Sequence, residues 1–329
     1  MEVAQQTERP GAVARGLIRA VVWLGNTHRR ALGVYFSILG PDVAYAVTGW
    51  LARALYHLLD PLRLQSEAQC RAALAGRVAR DDVPMIAERS FVHRVWNVTD
   101  LLLADRLLHP GTWFRYGGRI AEPQWRRLIE ALARKQPVIL LTGYYGPFDL
   151  LPVFLGFNGV RAGVVYRRHG NVEFDAYRRR VRSRGGCELI PLERAGQRLG
   201  ETLASGGAVA IVADHHVERG GMAATFLGLP TKVMRSVGLL AWRYNADVIV
   251  AGLRRVSDGF RFEIIVTDIM DHSEWAGADD PVVYVTQRYL RGLEALVLRD
   301  PSQYLWGYPR WGRDVALELM AGAATTYDA

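Results

Sequence analysis

The residues best suited to chemistry lie around one predicted turn. In VILLTGYYGPFDLLP (138–152) a run that reads as a buried strand ends at Thr142, Gly143 and Gly146 permit a tight turn, and Pro147 suits the first position of a helix. Tyr144 then sits on the turn, and Asp149, five residues on, can point back towards it. A polar side chain and a carboxylate so placed have the geometry of an acid–base pair, with helix amides nearby to stabilise negative charge. Asp149 equally suits a helix start, where it complements the dipole.

A phenol with its ordinary pKa of about 10 is a poor base at neutral pH, whereas an imidazole is a good one. Asp214, His215 and His216 close a second strand-like run, so they should open onto the same face as the Tyr144 turn. One histidine, oriented by Asp214 or Asp149, could supply the base; both also suit a polar loop. His169, in the turn after Arg167, is a lesser candidate. Arg167 and Arg168 end a further strand and offer guanidinium groups to a phosphate. Arg178, Arg179, Arg180, Arg182 and Arg184 crowd one helix and its exit, which suits an acidic carrier protein or anionic headgroups, or simply a solvated face. The segment holds no interleaved aromatic platform, so nucleic acid is not an expected partner. No G-x-S-x-G elbow, P-loop, dinucleotide fingerprint or zinc spacing occurs.

Positioning such residues calls for an α/β sheet covered on both faces, with chemistry at the carboxyl ends of its strands. Apolar strand-like runs fall at Val138–Thr142, Gly163–Tyr166, Glu188–Pro191, Ala208–Ala213, Val248–Leu253 and Phe260–Val266. Helical patterns separate most of them, at 147–157, 172–184, 194–204 and 235–245, and a last helix is expected at 281–299. Ahead of the first strand, 122–135 reads as an amphipathic helix and 66–108 as helical. Residues 17–59 are apolar and aromatic but broken by Arg29, Arg30, Pro41, Asp42 and Arg53, which predicts two helices at a membrane interface rather than a clean span, or a helical cap on the core. Residues 1–15 are expected to be disordered and 315–329 to form a tail.

The chain has 329 residues, 50% of them hydrophobic and 22% charged, with a net charge of +8. That balance favours a globular protein that touches a membrane and acidic partners. Lysine occurs only at Lys135 and Lys232; the rest of the positive charge is arginine, which binds phosphate bidentately. Cys70 and Cys187 stand alone, so neither a disulfide framework nor a zinc site is indicated. No signal-peptide pattern is read at the N-terminus.

The turn segment resembles the H-x4-D/E block, usually G-H-x-G-N-W-E, of the bacterial lipid A biosynthesis acyltransferase family. Gly143, Gly146 and Asp149 match, Phe148 replaces the tryptophan, Pro147 stands where asparagine is common, and Tyr144 falls where the histidine should be. Three more blocks follow in the family's order. In 164–186, Tyr166, Arg167, Asn171, Arg182, Arg184 and Gly185 match. In 208–242, Asp214, Phe226, Gly228, Pro230, Gly238 and Ala241 match, with His215 replacing glutamine. In 300–314, Pro301, Gln303, Tyr304, Trp306, Arg310 and Trp311 match, with Tyr308 again standing for histidine.

The resemblance implies a glycerolipid-acyltransferase-like α/β domain at 119–314, with a mixed, mostly parallel central sheet flanked by helices, behind a membrane-associated helical region at 16–118. It implies transfer of a fatty acyl group from acyl carrier protein or acyl-CoA to a hydroxyl or amine of a lipid or glycolipid. No cofactor beyond the donor is expected, and the setting is the cytoplasmic face of the bacterial inner membrane. Asp149, Tyr144, His215 and Asp214 are then the catalytic candidates, and Arg167, Arg168, Arg182, Gly146 and Arg310 the substrate-binding ones. The two tyrosines at histidine positions leave open a non-catalytic relative that binds carrier protein or acyl-lipid.

Overall fold

Six of the apolar runs pair into one sheet. The computed structural model describes residues 34–320, apart from Ser37, Arg219, Ala276, Arg313, Asp314 and Ala316. The expected disordered stretch 1–15, the beginning of the helical region and the tail beyond residue 320 lie outside the described residues. The strands of the sheet are β1 (Val138–Thr142), β2 (Ala162–Tyr166), β3 (Glu188–Pro191), β4 (Ala208–Val212), β7 (Asp247–Arg255) and β8 (Phe262–Met270), in the order β3-β2-β4-β1-β7-β8. All neighbours are parallel except β7 and β8. The expectation of a mixed, mostly parallel sheet flanked by helices is borne out.

Central parallel strands are buried on both faces, and β1 shows how this divides the core. Val138 and Leu140 belong to one apolar cluster, Ile139 and Leu141 to the other. The first cluster is roofed by α1 (Pro41–Leu58), α3 (Val83–Leu107), α4 (Gln124–Ala133) and α5 (Leu151–Phe157). The second is covered by α7 (Ala195–Ala204), α8 (Ser236–Tyr244) and α9 (Pro281–Arg299). Two further helices complete the set: α2 (Asp60–Ala73), which runs into α3 through a break, and α6 (Val172–Arg182), which follows β2. The sequence reading of 66–108 as helical passed over that break, where Gly76 takes φ +73°. Helix starts follow capping chemistry: Asn171 accepts from the Phe174 amide at 2.8 Å and Asp280 from the Val283 amide at 3.0 Å.

One element was not expected. β5 (Met222–Phe226) and β6 (Leu229–Val233) form an antiparallel hairpin apart from the main sheet. Its two-residue turn, Leu227–Gly228, has positive φ at both positions, as a primed hairpin turn requires. Leucine rarely adopts that conformation; here its amide donates to Glu294 Oε1 at 2.6 Å, which holds it.

The N-terminal helices are tied to the sheet by a buried polar hub. Arg255, at the end of β7, donates from both terminal nitrogens to Asp100, at 2.6 and 2.8 Å, and neither side chain is exposed. Tyr45 of α1 donates to the same carboxylate and accepts from Arg255 at 2.8 Å. Gln303 grips the Arg255 backbone, accepting its N–H at 2.9 Å and donating to its carbonyl at 2.8 Å.

Candidate active site

The turn after β1 is clamped from several directions. Gly146 has φ +53°, and a Cβ there would lie 2.0 Å from the Leu253 carbonyl oxygen, so only glycine fits. Its N–H donates to the Gln303 carbonyl at 2.9 Å, and its own carbonyl accepts from Asn97 at 2.9 Å. The Leu305 N–H donates to the Tyr144 carbonyl at 3.0 Å. Gly146 thus shapes the turn through its backbone, while Asn97 and Gln303, which sequence reasoning did not assign to the site, pin it.

Because β1 and β4 are parallel neighbours, the segment after β4 arrives beside that turn. The Tyr144 N–H donates to Asp214 Oδ2 at 2.9 Å, and Asp214 is completely buried. The Tyr144 hydroxyl lies 2.7 Å from His215 Nε2, and His215 Nδ1 lies 3.1 Å from the Val212 carbonyl. A carbonyl only accepts, so Nδ1 carries the proton; in the neutral ring Nε2 is then the acceptor and Tyr144 the donor. Tyr308 packs edge-on against the Tyr144 ring at 5.1 Å and the His215 ring at 6.2 Å; Phe148 covers Tyr144 from another side, also at 5.1 Å. Burial pushes the Tyr144 phenol above its ordinary range, Asp214 adds to this and Arg167 opposes it. Tyr144 therefore stays protonated and cannot itself be the base.

Asp149 corrects a sequence expectation. It does not hydrogen-bond to Tyr144; its carboxylate accepts two bonds from Arg178, at 2.9 and 3.1 Å, and meets Arg182 at 3.5 Å. Two guanidinium groups from α6 outcompete a neutral phenol for a buried carboxylate. Arg182 is buried, its charge further disfavoured by desolvation and sustained by Asp149.

The other candidates disperse. His216 turns away, 3.4 Å from the Thr231 hydroxyl, and burial and Arg310 lower its pKa. Arg310 is 1% exposed, donating to Thr231 at 3.0 Å with its guanidinium 4.4 Å from the centre of the Phe226 ring, so it belongs to the wall beneath Asp214 rather than to an open surface. Arg167 and Arg168 are exposed; Arg167 lies close enough to Tyr144 to lower its pKa, and Arg168 lies 3.9 Å from Glu193. His169 caps its own loop, accepting from the Asn171 amide at 3.1 Å. Asp247, Asp271 and His272 have metal-like spacing but lie at the amino end of β7, away from this turn.

The arrangement can move a proton between a bound hydroxyl and an imidazole. A family model described as bacterial lipid A biosynthesis acyltransferase matches residues 124–313, more than half of the chain. The chain belongs to that family. No curated protein matches it. Family membership makes acyl transfer its general activity, from an acyl donor to a lipid acceptor. The matched region begins at α4 and takes in every strand among the described residues, the turn of Tyr144 and the clamp around Gln303.

Proposed function

We propose that the chain transfers a fatty acyl group from a thioester of acyl carrier protein or coenzyme A to a hydroxyl of a lipid or glycolipid, with His215 as base and Tyr144 as proton relay. The observation that carries this reading is the 2.7 Å contact between Tyr144 Oη and His215 Nε2, with Nδ1 anchored on Val212. As the acceptor oxygen attacks the thioester carbonyl, its proton passes to Tyr144 Oη while the tyrosine proton passes to Nε2. The new C–O bond forms, the carbonyl oxygen becomes an oxyanion, and collapse breaks the C–S bond. The imidazolium returns its proton through Tyr144 to the departing thiolate. Tyr144 never becomes a net phenolate, which agrees with its raised pKa. Asp214 holds the turn, and Arg167 offers a guanidinium to donor or acceptor phosphate.

A lipid acceptor suits action at a membrane surface, in this proposal the cytoplasmic face of the bacterial inner membrane. Supporting this, α1 turns an apolar face outward: Val43, Val47, Trp50 and Leu58 are 40, 51, 70 and 62% exposed, and Ile38 just before it is 76% exposed. No helix among the described residues is long and apolar enough to cross a membrane.

The test is incubation of the purified protein with labelled acyl donors and extracted bacterial lipid, read by mass spectrometry. A lipid gaining one acyl chain with release of free thiol is expected. Thiol release without an acylated lipid, or no reaction with either donor, contradicts the reading.

A further inference from the structure

The sheet ends at β3, which pairs only with β2, and along this free edge lies a cavity of about 510 Å³. That is the size of a small-molecule site. Its walls combine Tyr166, Leu189 and Pro191 with Arg168, Arg179 and Arg180; Arg179 pairs with Asp175 at 3.1 Å and Arg180 with Asp105 at 2.6 Å.

Charge in this quarter of the molecule is unbalanced. Among the described residues, Arg178, Arg179, Arg180, Arg182 and Arg184 pair with Asp149, Asp175 and Asp105. The pair between Arg168 and Glu193 is long and solvent-exposed, so it neutralises little. The one carboxylate in the cavity wall, Glu188, is held by Arg198 at 2.7 Å. A concave site with three arginines and an unpaired strand edge fits a heterocycle carrying several phosphates: rings against Leu189 and Pro191, phosphates on the arginines, ring nitrogens on the strand backbone.

Its location names which one. Tyr166 and Pro191 end their strands at the same end of the sheet as Thr142 and Val212, because β3, β2, β4 and β1 are all parallel. Three strand spacings separate β3 from β1, about 14 Å. The ligand must therefore present multiple phosphates at the edge and a reactive group more than a nucleotide's length away. Coenzyme A has that layout, its pantetheine arm linking a phosphorylated adenosine to the thioester. A carrier protein brings its phosphate on a helix surface, which would dock on a flat basic face and leave the cavity unfilled.

We infer that the groove along β3 binds the 3′-phosphoadenosine diphosphate end of a coenzyme A thioester. This rests on the acyl-transfer reading and selects between its two donors. The test is calorimetric titration of the full chain with adenosine 3′,5′-bisphosphate and with coenzyme A. Both should bind. Arg179→Ala and Arg180→Ala should each weaken binding by about tenfold, the scale of a charge-assisted hydrogen bond. Ala176→Trp, at an exposed helix position in the groove wall, should block binding while keeping every arginine. In turnover with acyl-CoA the same variants should raise KM and leave kcat unchanged. Absence of binding at millimolar ligand, or binding that neither the arginine variants nor Ala176→Trp alters, overturns the site. Acylation from carrier-protein thioester alone, with no nucleotide binding, overturns it too and leaves acyl transfer standing.

Discussion

The backbone N–H of Tyr144 donates to the buried carboxylate of Asp214 at 2.9 Å, across two neighbouring parallel strands. The carboxylate thereby fixes the position of the turn rather than touching a reacting atom. Asp214→Ala should lower kcat by about two orders of magnitude, whereas Asp214→Asn, which keeps an oxygen acceptor, should retain a measurable fraction; losing a hydrogen bond to a charged group costs about 1.5–3 kcal/mol. Gly143→Ala should act similarly, because its Cβ would lie 2.8 Å from Asp214 Oδ2. Steady-state kinetics beside thermal melting separates misplacement of the turn from unfolding.

Asp149 neutralises Arg178 and Arg182, so its substitution should act first on stability. Asp149→Asn leaves two guanidinium groups without their carboxylate, which should cost roughly 3–5 kcal/mol in denaturant unfolding. The pH dependence of the residual rate should be unchanged. A shifted pH profile with unchanged stability would instead mark Asp149 as the partner of the base.

His93 packs beside the Arg255 guanidinium, its Nδ1 3.4 Å from Arg255 Nε, and burial followed by the charge of Arg255 pushes it down to about 2. Its folded pKa lies below its unfolded one, so the unfolded chain binds the extra proton first. Stability is then complete above about pH 6.5 and falls as pH drops below it, by roughly 1.4 kcal/mol per unit. Unfolding measured from pH 7.5 to 5 should show His93→Gln with a shallower decline than the parent. Parallel slopes would refute the assignment.

The outward face of α1 predicts binding to vesicles. Val47→Glu combined with Trp50→Glu should abolish co-flotation with anionic liposomes while leaving the melting temperature within a few degrees, since both side chains already face solvent. Flotation equal to the parent would remove α1 from the membrane contact.

The fold was legible because its strands are short apolar runs at the spacing of βα units, and a parallel sheet buries them on both faces. Glu188–Pro191 and Val138–Thr142 match their expected bounds for that reason. The β5–β6 hairpin escaped because MAATF and LPTKV mix small and polar residues with few apolar ones and pair with each other apart from the main sheet, with their turn centred on a leucine at positive φ. At the site, the ends of two strand-like runs placed Tyr144 and Asp214–His216 at one end of the sheet. Which histidine turns inward was not legible, because both follow the strand in coil and it is contacts with the Val212 carbonyl and Tyr144 that orient His215. Nor was the partner of Asp149, which depends on how α6 rotates Arg178 and Arg182 towards the turn. The clamp of Gln303 and Asn97 on Gly146 joins residues far apart in sequence and leaves no local pattern.

The central claim is that His215 takes the acceptor's proton through Tyr144. The most direct measurement is kcat for acyl transfer as a function of pH in the parent, His215→Ala and Tyr144→Phe proteins. His215→Ala should lose at least about a hundredfold, the usual worth of a general base, and its pH profile should differ in shape from the parent's; Tyr144→Phe should lose rate but keep the parent's profile shape. A His215→Ala protein with the parent's rate and profile would contradict the account.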